Sequence, residues 1–371
     1  MDETANIIYY NNIYKYKYIV LNKYFNQNII KIIILILVSF YILIKKLPNY
    51  EFQSKNGFPQ ISIFLPIYNK AKYLKRSISS IQRQSINNIE IIAVNDCSTD
   101  NSLEILKEMA KKDSRIKIIN NKKNHGLLFS RAMGILNSNG EYLMNLDPDD
   151  EYRGKNNFKL LYNIAQNLKV DFITFLIFYL PNKEKSFQYS KFNKILNQPE
   201  LFESAFDNNY CLNDYYITNK FIKRDLLIKA FNLFKCEIYG EKWNYHEDNI
   251  WSILIHRFAN SSVFINKKIY YYYFNNPDSE MFNRGNPLEL KNLLYRIKMY
   301  KKIFKFKREK KYIIAGYVEL IDIFVEHLEI LKKIEVLKIK IIKDLKYLKK
   351  TYKLSEEMTK KVDYLINFAN Q

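Results

Sequence analysis

Residues 142–151 read Tyr-Leu-Met-Asn-Leu-Asp-Pro-Asp-Asp-Glu, and the reading of this stretch decides the fold. The apolar run 142–146 predicts a buried strand that stops at Asp147, Pro148, Asp149 and Asp150. Pro148 cannot donate to a ladder, so the strand ends there and the flanking acids project beyond the edge of a sheet. Carboxylates crowded this closely repel one another unless a cation lies between them. A hard divalent ion such as Mn²⁺ or Mg²⁺, shared with a substrate phosphate, suits such a group. Taken alone, the same residues also make an ordinary acidic turn with capping residues.

Outward from this stretch, strands alternate with helices. Residues 61–65, 90–95 and 115–120 are apolar and rich enough in β-branched side chains for strands, while 72–84, 101–111 and 127–136 carry helical spacing. Asn101, followed three residues later by Glu104, predicts a capping box. Beyond the acidic stretch a helix is expected at 155–167 and a strand at 172–180. The pattern then loosens. An edge element at 187–192, helices at 199–208, 224–234 and 246–258, and strands at 263–265 and 270–274 complete it. This alternation implies βαβ units, hence an α/β fold with a mainly parallel twisted sheet flanked by helices. Ligands of such sheets bind at the carboxyl ends of the strands. The polar clusters at 66–69, 95–100, 124–126 with Arg131, and 147–150 all fall at such ends.

The chain has 371 residues, with 59 Lys and Arg against 38 Asp and Glu, a net charge of +21 that suits a surface meeting phosphate. It does not separate nucleic acid, a membrane face and a nucleotide-linked substrate. Residues 1–28 form a polar tail, and 29–46 are apolar apart from Lys31, Ser39 and the closing Lys45 and Lys46. That run is short of the ~20 residues of a spanning helix, but flanking lysines snorkel and Tyr41 suits an interface, so a membrane anchor is expected. A buried core helix is the alternative. The anchor makes the protein single-pass, in the endoplasmic reticulum, Golgi or another endomembrane if eukaryotic. Lys15, Lys17 and Lys23 balance Lys45, Lys46 and Lys55, so the orientation is not readable. Residues 47–59, with Pro48, Gly57 and Pro59, form a linker, and 281–371 a Lys-rich helical extension. Cys97, Cys211 and Cys236 exclude a disulfide framework, leaving at most one pair. No dinucleotide turn, phosphate loop, nucleophile elbow or zinc-spaced histidine pair is present.

The strand-end residues resemble inverting, nucleotide-sugar-dependent glycosyltransferases of the GT-A fold, family 2. The likeness is carried by Phe-Leu-Pro-Ile-Tyr-Asn (64–69), Val-Asn-Asp-Cys-Ser-Thr-Asp (94–100), Asn-His-Gly (124–126), Ser-Arg-Ala (130–132), Gly-Glu-Tyr (140–142) and Asp-Pro-Asp-Asp (147–150). It continues more weakly in 219–227, His-Glu-Asp-Asn-Ile-Trp (246–251) and 269–273. The resemblance covers 60–280, and implies a Rossmann-like nucleotide-binding half at 60–150 and an acceptor half at 151–280. It implies that Pro66 and Tyr68 belong to the donor-binding residues, with the Tyr68 ring stacked on the nucleobase, and that Asp96 accepts from the imide N–H of uracil. Arg131 is then expected on a phosphate or the base, Asp147 beside the ribose or a metal-bound water, and Asp149 on the metal. Asp150 caps the next segment or supports the sugar. Asp248 is the expected general base, with Glu247 as the fallback. Asn95 stands where a second acid is usual and Cys97 where glycine is usual.

Without the resemblance, Tyr68 is equally a packed loop aromatic, Asp96 the cap of the following helix, Arg131 a surface ion-pair residue and Asp248 a simple N-terminal helix acid. The implied partners are a nucleotide-sugar donor, a glycan, protein or lipid-linked acceptor, and the membrane. A basic protein binding nucleic acid or anionic membrane is the competing reading. Nucleic acid is disfavoured, because the lysines concentrate late in the chain and do not interleave with stacking aromatics. A transferase-like module that only binds is a third.

Overall fold

The computed structural model describes residues 57–180, 194–198, 200–204, 216–240, 242, 247–273, 276 and 278, with scattered positions between 346 and 367. The expected anchor at 29–46, the edge element at 187–192 and most of the 281–371 extension lie outside the described residues. Among the described residues, no helix is long and apolar enough to cross a membrane.

β1 (Ile61–Ile67) is the centre of the first half and is buried along its whole length. It pairs in parallel with β2 (Ile89–Asn95) on one side and β4 (Tyr142–Asn145) on the other, and β2 pairs in parallel with β3 (Ile116–Asn120). A strand flanked on both edges and both faces must be apolar throughout, and Ile-Ser-Ile-Phe-Leu-Pro-Ile meets that with one exception. Ser62 Oγ donates to the buried Glu90 (2.6 Å) and accepts from Gly140 N (2.7 Å). A Cβ on Gly140 would lie 2.5 Å from Ser62 N, so only glycine lets these backbones approach.

α1 (Ala71–Gln82), α2 (Ser102–Lys112) and α3 (Leu127–Leu136) connect these strands. Ile61, Ile63, Leu65 and Ile67 turn one way, into a cluster with Leu74, Ile78 and Ile81 of α1 and Leu106 of α2. Each such buried side chain stabilises by about 1.5–3 kcal/mol. Phe64 turns the other way, against Gly134 of α3. Both faces are thereby covered. The expected capping box at Asn101 and Glu104 does not form, since Asn101 makes no side-chain cap bond. Asp100 supplies that cap, accepting from Ser102 N (3.0 Å) and also from Ala71 N (3.0 Å).

The second half departs from a mainly parallel sheet. The strand order is β3-β2-β1-β4-β8-β6-β9-β5, with β7 also on β9. β8 (Lys220–Lys223) enters antiparallel between β4 and β6 (Phe172–Leu180). β5 (Glu151–Tyr152) and β7 (Ile195–Asn197) run antiparallel to β9 (Ser261–Tyr273), which is parallel to β6. The sheet is therefore mixed. Two strands expected at 263–265 and 270–274 are one, because a bulge opposite Phe175–Ile177 absorbs the polar residues between them. α4 (Asn157–Leu168), α5 (Glu200–Glu203), α6 (Arg224–Gly240) and α7 (Glu247–Phe258) complete the described elements. The last turns of α6, Phe234–Gly240, belong to a second, smaller compact unit, and the sheet lies in the larger one.

Candidate active site

Past β1 the chain turns through Tyr68, Asn69 and Lys70. Asn69 adopts φ +52°, and its side-chain oxygen accepts from Thr99 N (2.8 Å), tying this loop to the one after β2. Tyr68 is 41% exposed, so its ring is open for stacking. Pro66 is placed otherwise than expected. It lies buried inside β1, opposite Val94, because the strand runs to Ile67. Phe64 O accepts from Leu146 N on the β4 side, so strand alternation turns the Pro66 nitrogen to that side too. β4 has ended by then, which lets a residue without an N–H sit in a central strand.

Asp96 is 2% exposed, and its carboxylate accepts from Gly126 N (2.7 Å), His125 N (3.0 Å) and Asn121 Nδ2 (2.8 Å). It thus organises the loop leading into α3. The helix that follows Asp96 in sequence, α2, is capped by Asp100 instead.

The quoted acidic stretch is a turn. Asp150 N donates to Asp147 O (3.0 Å), with Pro148 at the position where its fixed φ is favourable. The turn also sorts its acids. Asp147 Oδ1 accepts from Arg131 Nη2 (2.9 Å) and Asn145 Nδ2 (2.9 Å). Asp149 Oδ2 accepts from Lys70 Nζ (2.8 Å) and Asn276 Nδ2 (2.9 Å). Asp150 points inward, accepting from Tyr270 OH (2.7 Å) and Tyr273 N (2.9 Å), which locks β9 to the end of β4. Burial, then the charges of Asp149 and Asp147, raise the proton affinity of Asp150 well above the usual carboxylate range.

Arg131 is 1% exposed in α3, and its guanidinium gathers three acids. Nη2 holds Asp147, and Nη1 donates to both Glu247 and Asp248 in the first turn of α7. The surface ion pair expected of an isolated Arg131 is thus replaced by an almost wholly buried cation. Burial works against its charge, but Asp248, Asp147 and Glu247 outweigh that and raise its proton affinity. Burial also raises the proton affinity of Asp248, with Arg131 opposing and Asp147 reinforcing. Asp248 keeps 23% of its side chain exposed, whereas Glu247 keeps 4%. Of the two, Asp248 is the more open to solvent.

Arg131, Asp147, Glu247 and Asp248 therefore converge, with Asp149 in the same turn as Asp147. Asp96 and Pro66 serve the loop and the strand. Sequence reasoning missed Lys70, Asn145, Asn276 and Arg76. Arg76 donates to the carbonyl of Asp149, and its guanidinium stacks 3.7 Å over the Tyr273 ring. Burial of Arg131 was signalled by α3 itself, where Leu128, Phe129, Ala132 and Ile135 leave no polar face.

Among the described residues, no set of three His, Cys, Asp or Glu side chains converges as a complete metal cage. The Asp147–Asp149 turn nevertheless fits an ion completed by substrate oxygens, because it presents two carboxylates at one strand end and a dication commonly takes its remaining ligands from phosphate and water.

A family model, Glycosyl transferase family 2, matches residues 62–238, which contain all of β1 but its first residue, and the acidic turn. Over those residues the chain matches glycosyl transferase family 2. It is 29% identical over 240 residues to the Uncharacterized glycosyltransferase EpsJ of Bacillus subtilis (strain 168), covering 64% of this chain and 64% of that relative. It is also 29% identical over 216 residues to Glycosyltransferase GlyG of Streptococcus pneumoniae serotype 4, covering 57% of this chain and 70% of GlyG. The chain thus spans just under two thirds of the length of EpsJ. The crystal structure of S. aureus TarS 1-349 in complex with UDP-GlcNAc superposes with a TM-score of 0.57 at 16% identity, covering 84% of this chain and 90% of TarS 1-349. That likeness establishes the GT-A type of fold, a central sheet flanked by helices. The family 2 match extends into α6 and stops before α7, so Asp248 lies outside the matched residues.

Proposed function

We propose that this family 2 protein transfers a sugar from a nucleotide-sugar donor, UDP-linked, to an acceptor hydroxyl with inversion, by a single displacement. The observation that carries the reading is the convergence of Asp147, at the end of β4, with Glu247 and Asp248, at the start of α7, on Arg131. A strand end and a helix start a hundred residues apart are thereby brought to one guanidinium. Tyr68 stacks on the nucleobase. Asp147 faces the ribose, and Asp147 and Asp149 would hold Mn²⁺ or Mg²⁺, which when bound neutralises charge on the departing diphosphate. Asp248 takes the proton of the acceptor hydroxyl as that oxygen attacks the anomeric carbon from the face opposite the diphosphate. Glu247, buried, accepts from Arg131 Nη1 and helps keep the guanidinium in place. The nucleoside diphosphate leaves with the bonding electrons. Residues 29–46 anchor the domain to a membrane, a reading supported by their apolar run closed by Lys45 and Lys46.

The test is a panel of UDP- and GDP-sugars scored by thermal shift with and without Mn²⁺. A UDP-sugar that stabilises the protein only with metal is expected. Absence of any nucleotide-sugar shift overturns the proposal.

A further inference from the structure

Asp149 is expected to hold the divalent ion, yet its Oδ2 already has a cation. Lys70 Nζ lies 2.8 Å away, in an ion pair whose side chains are only 12% and 15% exposed. The ammonium is also held from behind, because Lys70 Nζ donates to the carbonyl of Asp278 (2.8 Å). Asp278 is fixed in turn. Tyr73 OH bonds both Asp278 Oδ2 (2.5 Å) and Asn276 Oδ1 (2.6 Å), and Asn276 donates to the same Asp149 oxygen (2.9 Å). Residues just after β9 therefore tie Lys70 and Asp149 together. A solvated lysine would roam among rotamers, whereas this ammonium is kept in place by two oxygens from two segments.

We propose that Lys70 is the resident cation of Asp149 and competes with the divalent ion for it, so that metal binds the donor-free protein weakly and enters together with the nucleotide diphosphate. This rests on the metal role of Asp149 in the function proposed above. A dication on Asp149 would share one carboxylate with an ammonium held on the other oxygen, and the like charges repel in a partly buried site. Diphosphate oxygens remove that obstacle in two ways: they add ligands to the ion and offer the ammonium another anion.

The experiment is titration of the full-length protein with Mn²⁺ alone, followed by electron paramagnetic resonance of the free ion, on wild type, Lys70→Met and Lys70→Gln. Asp149→Asn serves as the control and melting curves check folding. Both Lys70 variants are expected to bind Mn²⁺ at least about tenfold more tightly than wild type, and UDP should narrow that gap. Unchanged Mn²⁺ affinity in folded Lys70 variants overturns the inference while leaving the transferase reading standing. If the wild type binds no UDP even at saturating Mn²⁺, the transferase reading fails instead.

Discussion

Two sets of buried and half-buried acids in this protein meet their partners in different ways. In the scaffold, each acid has its own partners. Glu90 is buried, which alone would raise its proton affinity, but Lys117, Ser62 and Asn139 N bring it below the usual value. Asp171 is treated alike by Lys223 and the backbone of Asn260 and Ser261, again against burial. Asp113 is held down to about 2, first by the Arg115 guanidinium. Around Arg131, Asp147, Glu247 and Asp248 share one guanidinium, and burial raises the proton affinity of Asp248. Each scaffold acid has hydrogen-bond donors of its own, whereas three acids meet on Arg131. A shared cation beside a carboxylate of raised proton affinity is the kind of arrangement found at functional sites.

The comparison breaks most severely at the turn. Asp149→Ala should abolish metal-dependent donor stabilisation, worth about 2.7 kcal/mol when donor is present at a hundred times its Kd. Asp150→Ala should retain most of it, because Asp150 faces Tyr270 and Tyr273 rather than the crevice. Thermal shift with Mn²⁺ and donor reads both, and equal, negligible effects would return 147–150 to being only a turn.

The turn also shows how much was legible in the sequence. The strands and helices from Ile61 to Leu136 follow from apolar periodicity, and the convergence of polar clusters at strand ends follows from parallel topology. The second half was less readable for identifiable reasons. β5 is two residues long and β8 four, too short for a period, and β8 is antiparallel, so it breaks the alternation on which the reading relied. The bulge in β9 put exposed Asn266, Lys267 and Lys268 in the middle of one strand and made it read as two. The Lys70–Asp149 and Tyr73–Asp278 contacts join residues 79 and 205 positions apart, and no local pattern announces them.

Two pH responses sharpen the contrast. Asp248 acts as a base only when deprotonated, and its proton affinity is raised, so activity should fall as pH drops through a value above the ~3.9 of a free aspartate. A rate profile with its acid limb at or below that value contradicts the assignment. Asp113 has the opposite sign. Its folded value lies below its unfolded one, so its stabilisation is present above the unfolded value and is lost as pH falls towards about 2. Asp113→Asn should therefore lower the melting temperature at neutral pH, with the difference from wild type vanishing near pH 2.

A smaller effect is expected at Cys97, which holds φ +60° where glycine meets no steric penalty. Cys97→Gly relieves about 1–2 kcal/mol of strain and gives back about 0.5–1 kcal/mol through the freer unfolded chain. A net gain between about 0 and 1.5 kcal/mol in chemical denaturation is predicted, and marked destabilisation would show that the thiol packs productively.

The central claim is that Asp248 is the base of a sugar transfer whose donor site begins at Asp147. Its most direct measurement is release of nucleoside diphosphate from a bound UDP-sugar by wild type and Asp248→Asn, with donor affinity measured alongside. The account predicts unchanged donor affinity and a rate lowered by ~10² to 10⁴. Turnover by Asp248→Asn at the wild-type rate would contradict it.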